Sequence, residues 1–481
     1  WACAVAILAQ DASWLLHDPR FVACHWQKHP RFYQQADMAG GASLPCFMVV
    51  LALASGELSG IPGDGDALFR SDDEFRQGTT LLQKLSSAMS DSSGRLATAQ
   101  AQVVRFMSYN IADLRVKDIE AALRDQTGPA PKRALAAAEL IAAVNPDVLF
   151  IQELEHPETE TGAPLPGSSS ASEFASLLLK AQSNLGIQQR RYSFFQHSSN
   201  TGVPSGKDLD RNGKVVLEPG SAEYAGDCFG FGLFPGQYAM ALFAREPLTI
   251  DNAAARTFQK LLRADMPGAL LPYGNNASWP LHTPWYDTGM LSILRLSSKS
   301  HWDVPVLVPH PSGKARVIRA YLSHPTPPQY TYDTAMRGHD EIRFWASYAD
   351  GESWIYDDSG VYGGASSDPA VIMGDLNADS NVSDSIFDPI GMWIWKRGRY
   401  QKHLPGSMTQ TKDKGGEGMP ADATTVEGYR LDYLLPTPGL IARRGAVLRG
   451  PADLPRGHAG GATLLFNSSD HFPVWTDFEI V

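Results

Sequence analysis

The residues that could do chemistry are clearest in the stretch Ala370-Val371-Ile372-Met373-Gly374-Asp375-Leu376-Asn377-Ala378-Asp379. An apolar run ends at a glycine and delivers Asp375 and Asn377, so on a strand both side chains leave on the same face. A carboxylate beside a carboxamide suits a centre where one group takes a proton from water and the other orients that water or a phosphate oxygen. Polar residues close other apolar runs in the same way. Asn110 ends the run from Val103, Glu153 ends the run from Asp147, and Ser323-His324 follow Ala315 to Leu322. Asp432 projects opposite its apolar neighbours in Arg430 to Leu435, and Asp470-His471 stand before a closing run to Val481. Each taken alone is more often a solvated strand end than a ligand; their number is what makes the set a candidate site.

Such residues need a frame that brings strand ends together. Val103 to Asn110 is expected to be a strand, followed by a helix over Pro131 to Val144 that Asn145-Pro146 stops, and by a strand from Asp147 to Glu153. The second half repeats the pattern: a strand over Ala315 to Leu322, a helix over His339 to Ala349, and a strand over Val371 to Met373. Two such units pack sheet on sheet with helices outside.

Between the halves, residues 157–300 read as a long Gly-, Ser- and Pro-rich insertion. It contains Asp208-Leu209-Asp210-Arg211-Asn212-Gly213, where alternate oxygen ligands followed by glycine fit a calcium loop, although Pro219 stands where an EF-hand has its bidentate Glu. A solvated Asx turn is the other reading of the same residues. Near its end, Ser297-Ser298-Lys299-Ser300-His301 puts Lys299 and His301 among hydroxyls, a set able to hold an anionic oxygen and hence part of a substrate.

The chain has 481 residues and a net charge of −11. That balance, with no Lys/Arg-rich run, argues against a generally cationic nucleic-acid binder and favours a small ligand. Met38 is the expected start, and the apolar run Leu44 to Ala54 ends in an A-x-A pattern, so residues 38–54 are expected to be a signal peptide and residues 1–37 to lie upstream of the mature protein. The run is too short to span a bilayer. Residues 55–102 read as a lead-in with one helix whose apolar stripe is Leu81, Leu82, Leu85 and Met89. Of four cysteines only Cys228 follows the expected cleavage, so no internal disulfide is expected. Asn276, Asn381 and Asn467 are glycosylation acceptors compatible with a eukaryotic secretory route, and the expected location is secreted or periplasmic/extracellular.

Together Ser108-Tyr109-Asn110, Gln152-Glu153, Ser323-His324, Gly374-Asp375-Leu376-Asn377, Leu431-Asp432-Tyr433 and Ser469-Asp470-His471-Phe472-Pro473-Val474 occur in an order that resembles the endonuclease/exonuclease/phosphatase superfamily, over residues 103–481. His324-Pro325-Thr326-Pro327-Pro328 with His339-Asp340-Glu341-Ile342-Arg343 looks like a branch of secreted bacterial and algal members. The resemblance implies a deoxyribonuclease I-like four-layer α/β/β/α sandwich and metal-dependent hydrolysis of a phosphate ester. It implies that Glu153 holds the cation, usually magnesium, with Asn110 and Asp470; that Asp375 takes a proton from the attacking water, which Asn377 orients; and that His471, polarised by Asp432, and His324 contact the scissile phosphate. The expected substrate is a small organic phosphate. An extracellular nuclease and a non-catalytic binding module are the alternatives.

Overall fold

The structure is a computed structural model that describes residues 102–166, 169–273, 283–381, 387–455, 466 and 468–481. The expected upstream segment, signal peptide and lead-in helix, and the acceptors Asn276 and Asn467, lie outside the described residues.

The first sheet contains β1 (Val103–Leu114), β2 (Val148–Leu154), β3 (Tyr192–Phe195), β4 (Met240–Arg245), β11 (Leu440–Val447) and β12 (Val474–Ile480), in the order β11-β12-β1-β2-β4-β3. The second contains β5 (Thr249–Ile250), β6 (Arg256–Thr257), β7 (His301–Val308), β8 (Arg316–Ser323), β9 (Ala370–Asp375) and β10 (Asp432–Pro436), in the order β10-β9-β8-β7-β5, with β6 also on β7. The two parallel pairs, β1 with β2 and β8 with β9, are the two strand-helix-strand units expected from the sequence. Helices α1 (Val116–Leu123) and α2 (Pro129–Val144) bridge the first pair, α3 (Ser170–Asn184) follows β2, and α4 (Tyr332–Ala349) bridges the second pair.

Alternation along the strands sorts side chains into layers. Phe106, Phe150, Trp302, Leu322 and Met373 face inward from both sheets and form one buried cluster between them. Their sequence neighbours Met107 and Ile151 turn outward to meet Ala138 and Ile141 of α2. On the far side Tyr321 and Ile372 meet Trp345 and Tyr348 of α4. Each large side chain buried in this way stabilises the fold by roughly 1.5–3 kcal/mol. The order helix, sheet, sheet, helix is the expected four-layer sandwich.

Two expectations are corrected. Helix α4 begins at Tyr332 instead of near His339, because the Thr331 side chain accepts from the Thr334 N–H at 3.1 Å and Thr334 Oγ1 accepts from the Thr331 N–H at 2.9 Å. This reciprocal cap uses threonine where Glu or Gln is usual. Residues 157–300 are also more than an insertion: β3 and β4 extend the first sheet, and β5 and β6 extend the second.

Candidate active site

The strand ends expected to carry chemistry meet at one end of the sandwich. Gly374 brings β9 against β8: its φ is +144°, and a Cβ there would lie 2.1 Å from the Ser323 carbonyl oxygen. Only glycine tolerates that approach. The next residue, Asp375, pairs in register with Asp432 on antiparallel β10, which sets two carboxylates side by side in the core. Like charges so placed repel. His471 bridges them, with Nδ1 2.9 Å from Asp432 Oδ2 and Nε2 3.7 Å from Asp375 Oδ2.

Asp375 is the hub of the site. Its Oδ2 accepts from Asn110 Nδ2 at 3.1 Å and lies 3.4 Å from His324 Nε2, while its Oδ1 accepts from the Asn377 N–H at 2.9 Å. Burial by itself would raise its pKa, but the charges of His471 and His324 outweigh it and hold the carboxyl well below the usual range. For His471 burial works the other way, and the Asp432 and Asp375 carboxylates lift it to about 10.

Glu153 enters from β2. Its Oε1 accepts from Asn110 Nδ2 at 3.1 Å and its Oε2 from the Asp113 N–H at 2.9 Å. The backbone here is strained: Glu153, Asn377, Ala112 and Asp113 have φ of 63°, 50°, 54° and 50°. Non-glycine residues held in this left-handed region concentrate at sites that must fix a side chain. Ser469 Oγ donates to the Asn110 carbonyl oxygen at 2.8 Å and ties the Asp470-His471 segment to β1.

A cavity of about 360 Å³ opens over these groups, lined by Glu153, His324, Asp375, Asn377, Asp470 and His471. A larger one of about 720 Å³ adjoins it and shares Glu153 and His324. The structure therefore brings together Asn110, Glu153, His324, Asp375, Asn377, Asp432, Asp470 and His471.

A cation would find oxygen donors here. Glu153 and exposed Asp470 face the smaller cavity, and each Glu153 oxygen accepts a single N–H in the structure. An all-oxygen set fits a hard divalent cation such as magnesium. Asn110 departs from the expectation: its Oδ1 accepts from the Ala112 N–H at 3.0 Å, and its NH₂ joins Glu153 to Asp375, so it ties the two carboxylates together.

His301 is not brought to the site. It is buried, with Nδ1 2.5 Å from Ser297 Oγ and Nε2 2.8 Å from the Glu341 carbonyl oxygen, and it packs on Phe344 and Trp345. The expected contact with substrate is therefore corrected to a structural role. Lys299, its neighbour, lines the larger cavity.

The expected calcium loop places Asp208 and Asp210 together, but the third carboxylate is Asp227, and ligand oxygens of the three lie within 4.8 Å of one another. Asn212 is corrected as a ligand, since its Nδ2 donates to Asp210 Oδ2 at 2.9 Å and its Oδ1 accepts from the Lys214 N–H at 2.9 Å. Burial is the largest cause raising both the Asp210 and Asp227 carboxyls.

The sequence reading also passed over Asp379 and Glu341. Asp379 extends the alternation of Asp375 and Asn377, lines the smaller cavity and accepts from the Arg430 N–H at 2.9 Å. Glu341, buried on α4, accepts from the N–H groups of Ser298 and Thr326 at 2.5 Å each.

Among solved structures, the chain is similar to an endonuclease/exonuclease/phosphatase from Beutenbergia cavernae DSM 12333 at 17% identity, over 79% of this chain and 72% of that one, with a TM-score of 0.41. It is similar to a family protein from Leptotrichia buccalis C-1013-b at 15% identity, over 78% and 100% of the two chains, with a TM-score of 0.39. A third, from Bacteroides vulgatus, shares 14% identity over 79% and 100%, with a TM-score of 0.37. No curated protein matches the chain. The model of the Endonuclease/Exonuclease/phosphatase family matches residues 107–471, from within β1 to the histidine that bridges Asp375 and Asp432. On a match of that length, the chain belongs to the endonuclease/exonuclease/phosphatase family.

Proposed function

We propose that the chain is a divalent-metal-dependent hydrolase of phosphate esters that acts on a small organic phosphate. Members of this family are generally metal-dependent hydrolases of such esters. The observation that carries the proposal is the convergence on Asp375 of Asn110, His324 and His471, beside a cavity lined by Glu153 and Asp470.

In the proposed reaction Glu153 and Asp470 hold the cation. When bound, it supplies charge neutralisation at a phosphoryl or leaving oxygen, or a water of lowered pKa. Asp375 is the base. Free of substrate it is ionised but weakly basic, because the N–H groups of His324 and His471 face its Oδ2. A phosphate entering the cavity offers these histidines better acceptors. As they turn to its oxygens, Asp375 loses the charges that depress its basicity and can take the proton from water, which Asn377 orients. Asp432 keeps His471 charged throughout, so that it stabilises the developing charge on phosphorus-bound oxygen.

Purified protein assayed with p-nitrophenyl phosphate, bis-p-nitrophenyl phosphate and plasmid DNA tests this. Turnover of an ester that EDTA abolishes and magnesium restores is expected. DNA cleavage far exceeding both esters would favour the nuclease reading, and no turnover of any of them would favour a binding module.

Two finer readings belong to the same proposal. Asp208, Asp210 and Asp227 take a calcium ion, supported by their convergence. The mature protein is exported, supported by the apolar run ending at Ala54, and N-terminal sequencing of exported protein should then begin after Ala54.

A further inference from the structure

The larger cavity is not used by the proposed chemistry, yet it is continuous with the smaller one along Glu153, His324, Pro327 and Tyr330. At about 720 Å³ it is roomier than a small organic phosphate needs. Its lining is mostly apolar, with Leu209, Phe231, Tyr238, Trp285, Tyr286 and Leu294 all contributed by the 157–300 stretch, and the charged Asp210, Asp333 and Arg337 stand among them. Phe231 is 56% exposed and Tyr330 72% exposed, so two rings stand in solvent at the junction and mouth.

The part of the lining next to Glu153 and His324 is polar and unsatisfied. Ser298 Oγ and Thr326 Oγ1 are buried without a hydrogen-bond partner among the described residues. Lys299 is 6% exposed and lines the same cavity. Their backbones are fixed from beneath by Glu341, which accepts from the Ser298 and Thr326 N–H groups. Buried hydroxyls left unpaired are costly, so a protein that keeps two of them on one cavity wall has a ligand to meet them. An ammonium and two hydroxyls match the oxygens of an anion, and the aromatic walls beyond match a flat ring better than a flexible chain.

We infer, building on the hydrolase reading, that the substrate is a phosphate ester of a ring-bearing apolar alcohol. Lys299, Ser298 and Thr326 grip its phosphoryl oxygens at the junction, and its ring body fills the larger cavity. The 157–300 stretch thereby sets substrate choice, while the strand ends supply the chemistry.

Phosphonates, which lack the cleavable ester oxygen, separate binding from turnover. Methylphosphonate, octylphosphonate and 1-naphthylmethylphosphonate are titrated calorimetrically into the magnesium-loaded full chain. The naphthyl compound is expected to bind at least about tenfold tighter than methylphosphonate, with the octyl compound between them. Phe231→Ala and Tyr330→Ala, both at exposed positions, should each shrink the naphthyl-to-methyl ratio. Lys299→Met should weaken all three. A naphthyl compound that binds no tighter than methylphosphonate, an octyl compound that binds as tightly as the naphthyl one, or ratios unchanged in both aromatic variants would overturn the inference. Naphthyl preference in a protein that turns over no ester would count against the hydrolase reading alone. Ester turnover without the preference would count against this inference alone.

Discussion

His471 stands between two buried carboxylates, and its behaviour with pH follows from them. Burial would lower its pKa, but Asp432 and Asp375 raise it to about 10, so the charged form persists through neutral pH and is lost as pH rises through that value. Activity that needs the imidazolium should therefore hold into alkaline solution. Asp432→Asn removes the larger of the two partners and should move the alkaline limb of kcat/KM to lower pH, with a loss of about 10²-fold at neutral pH. An alkaline limb that stays in place would rule out the Asp432–His471 pairing as its origin. Asp375→Asn should lower kcat by about 10²–10⁴-fold while leaving the thermal melt within a few degrees of wild type. At this scale the sequence was informative, because a polar residue closing an apolar run shows in one dimension. It failed at His301, since Ser297 to Ser300 precede the first residue of β7, where strand alternation does not yet apply and nothing local distinguishes the cavity-facing Lys299 from the core-facing histidine.

The elements place these side chains through close backbone contacts. Gly374→Ala would force a methyl group to within 2.1 Å of the Ser323 carbonyl oxygen at a φ of +144°. The expected result is a loss of roughly 2–4 kcal/mol in urea unfolding, with activity falling further than the folded fraction because Asp375 moves with its strand. Equal losses of both would show that the glycine serves stability alone. In the Asp208 loop, Asp208→Asn with Asp227→Asn should abolish any rise in melting temperature on adding calcium to chelator-treated protein, whereas a rise that survives the double variant would place the ion elsewhere. Strands and helix α2 could be read from periodicity, and Asn145 with φ of 56° ends α2 where Asn145-Pro146 was expected to stop it. The start of α4 could not, because its cap is a threonine pair next to prolines. Asp227 escaped because chain folding, and not spacing, brings it to Asp208.

Across the whole molecule, buried neutral histidines couple stability to acidity. Burial holds His301 and His403 at about 4, against 6.5 when exposed. Below pH 6.5 the unfolded chain binds protons that the folded chain refuses, so stability falls as pH drops from about 6.5 to about 4 and is level below that. The loss is on the order of 3 kcal/mol per histidine at most. Melting temperatures between pH 7 and 4 should fall less steeply in a His301→Gln, His403→Gln variant, and an unchanged slope would assign acid sensitivity to other groups. The two-sheet plan was visible in the repeated strand-helix-strand pattern. Within 157–300 the apolar run from Ala239 to Phe243 reads as a strand and corresponds to β4, whereas β5 and β6 have two residues each and no period can be read from two residues.

The site is also divided between the sheets. Asn110 and Glu153 lie on the first and Asp375 and Asp432 on the second, with His471 just before β12 and His324 just after β8, and the 3.1 Å Asn110–Asp375 and 2.9 Å His471–Asp432 contacts span the gap. The hydrophobic layer between the sheets thus acts as a vernier. A smaller side chain at Phe150 or Met373, both buried in that layer, should slide one scale past the other, and turnover should register the slip while the protein still melts as a folded whole.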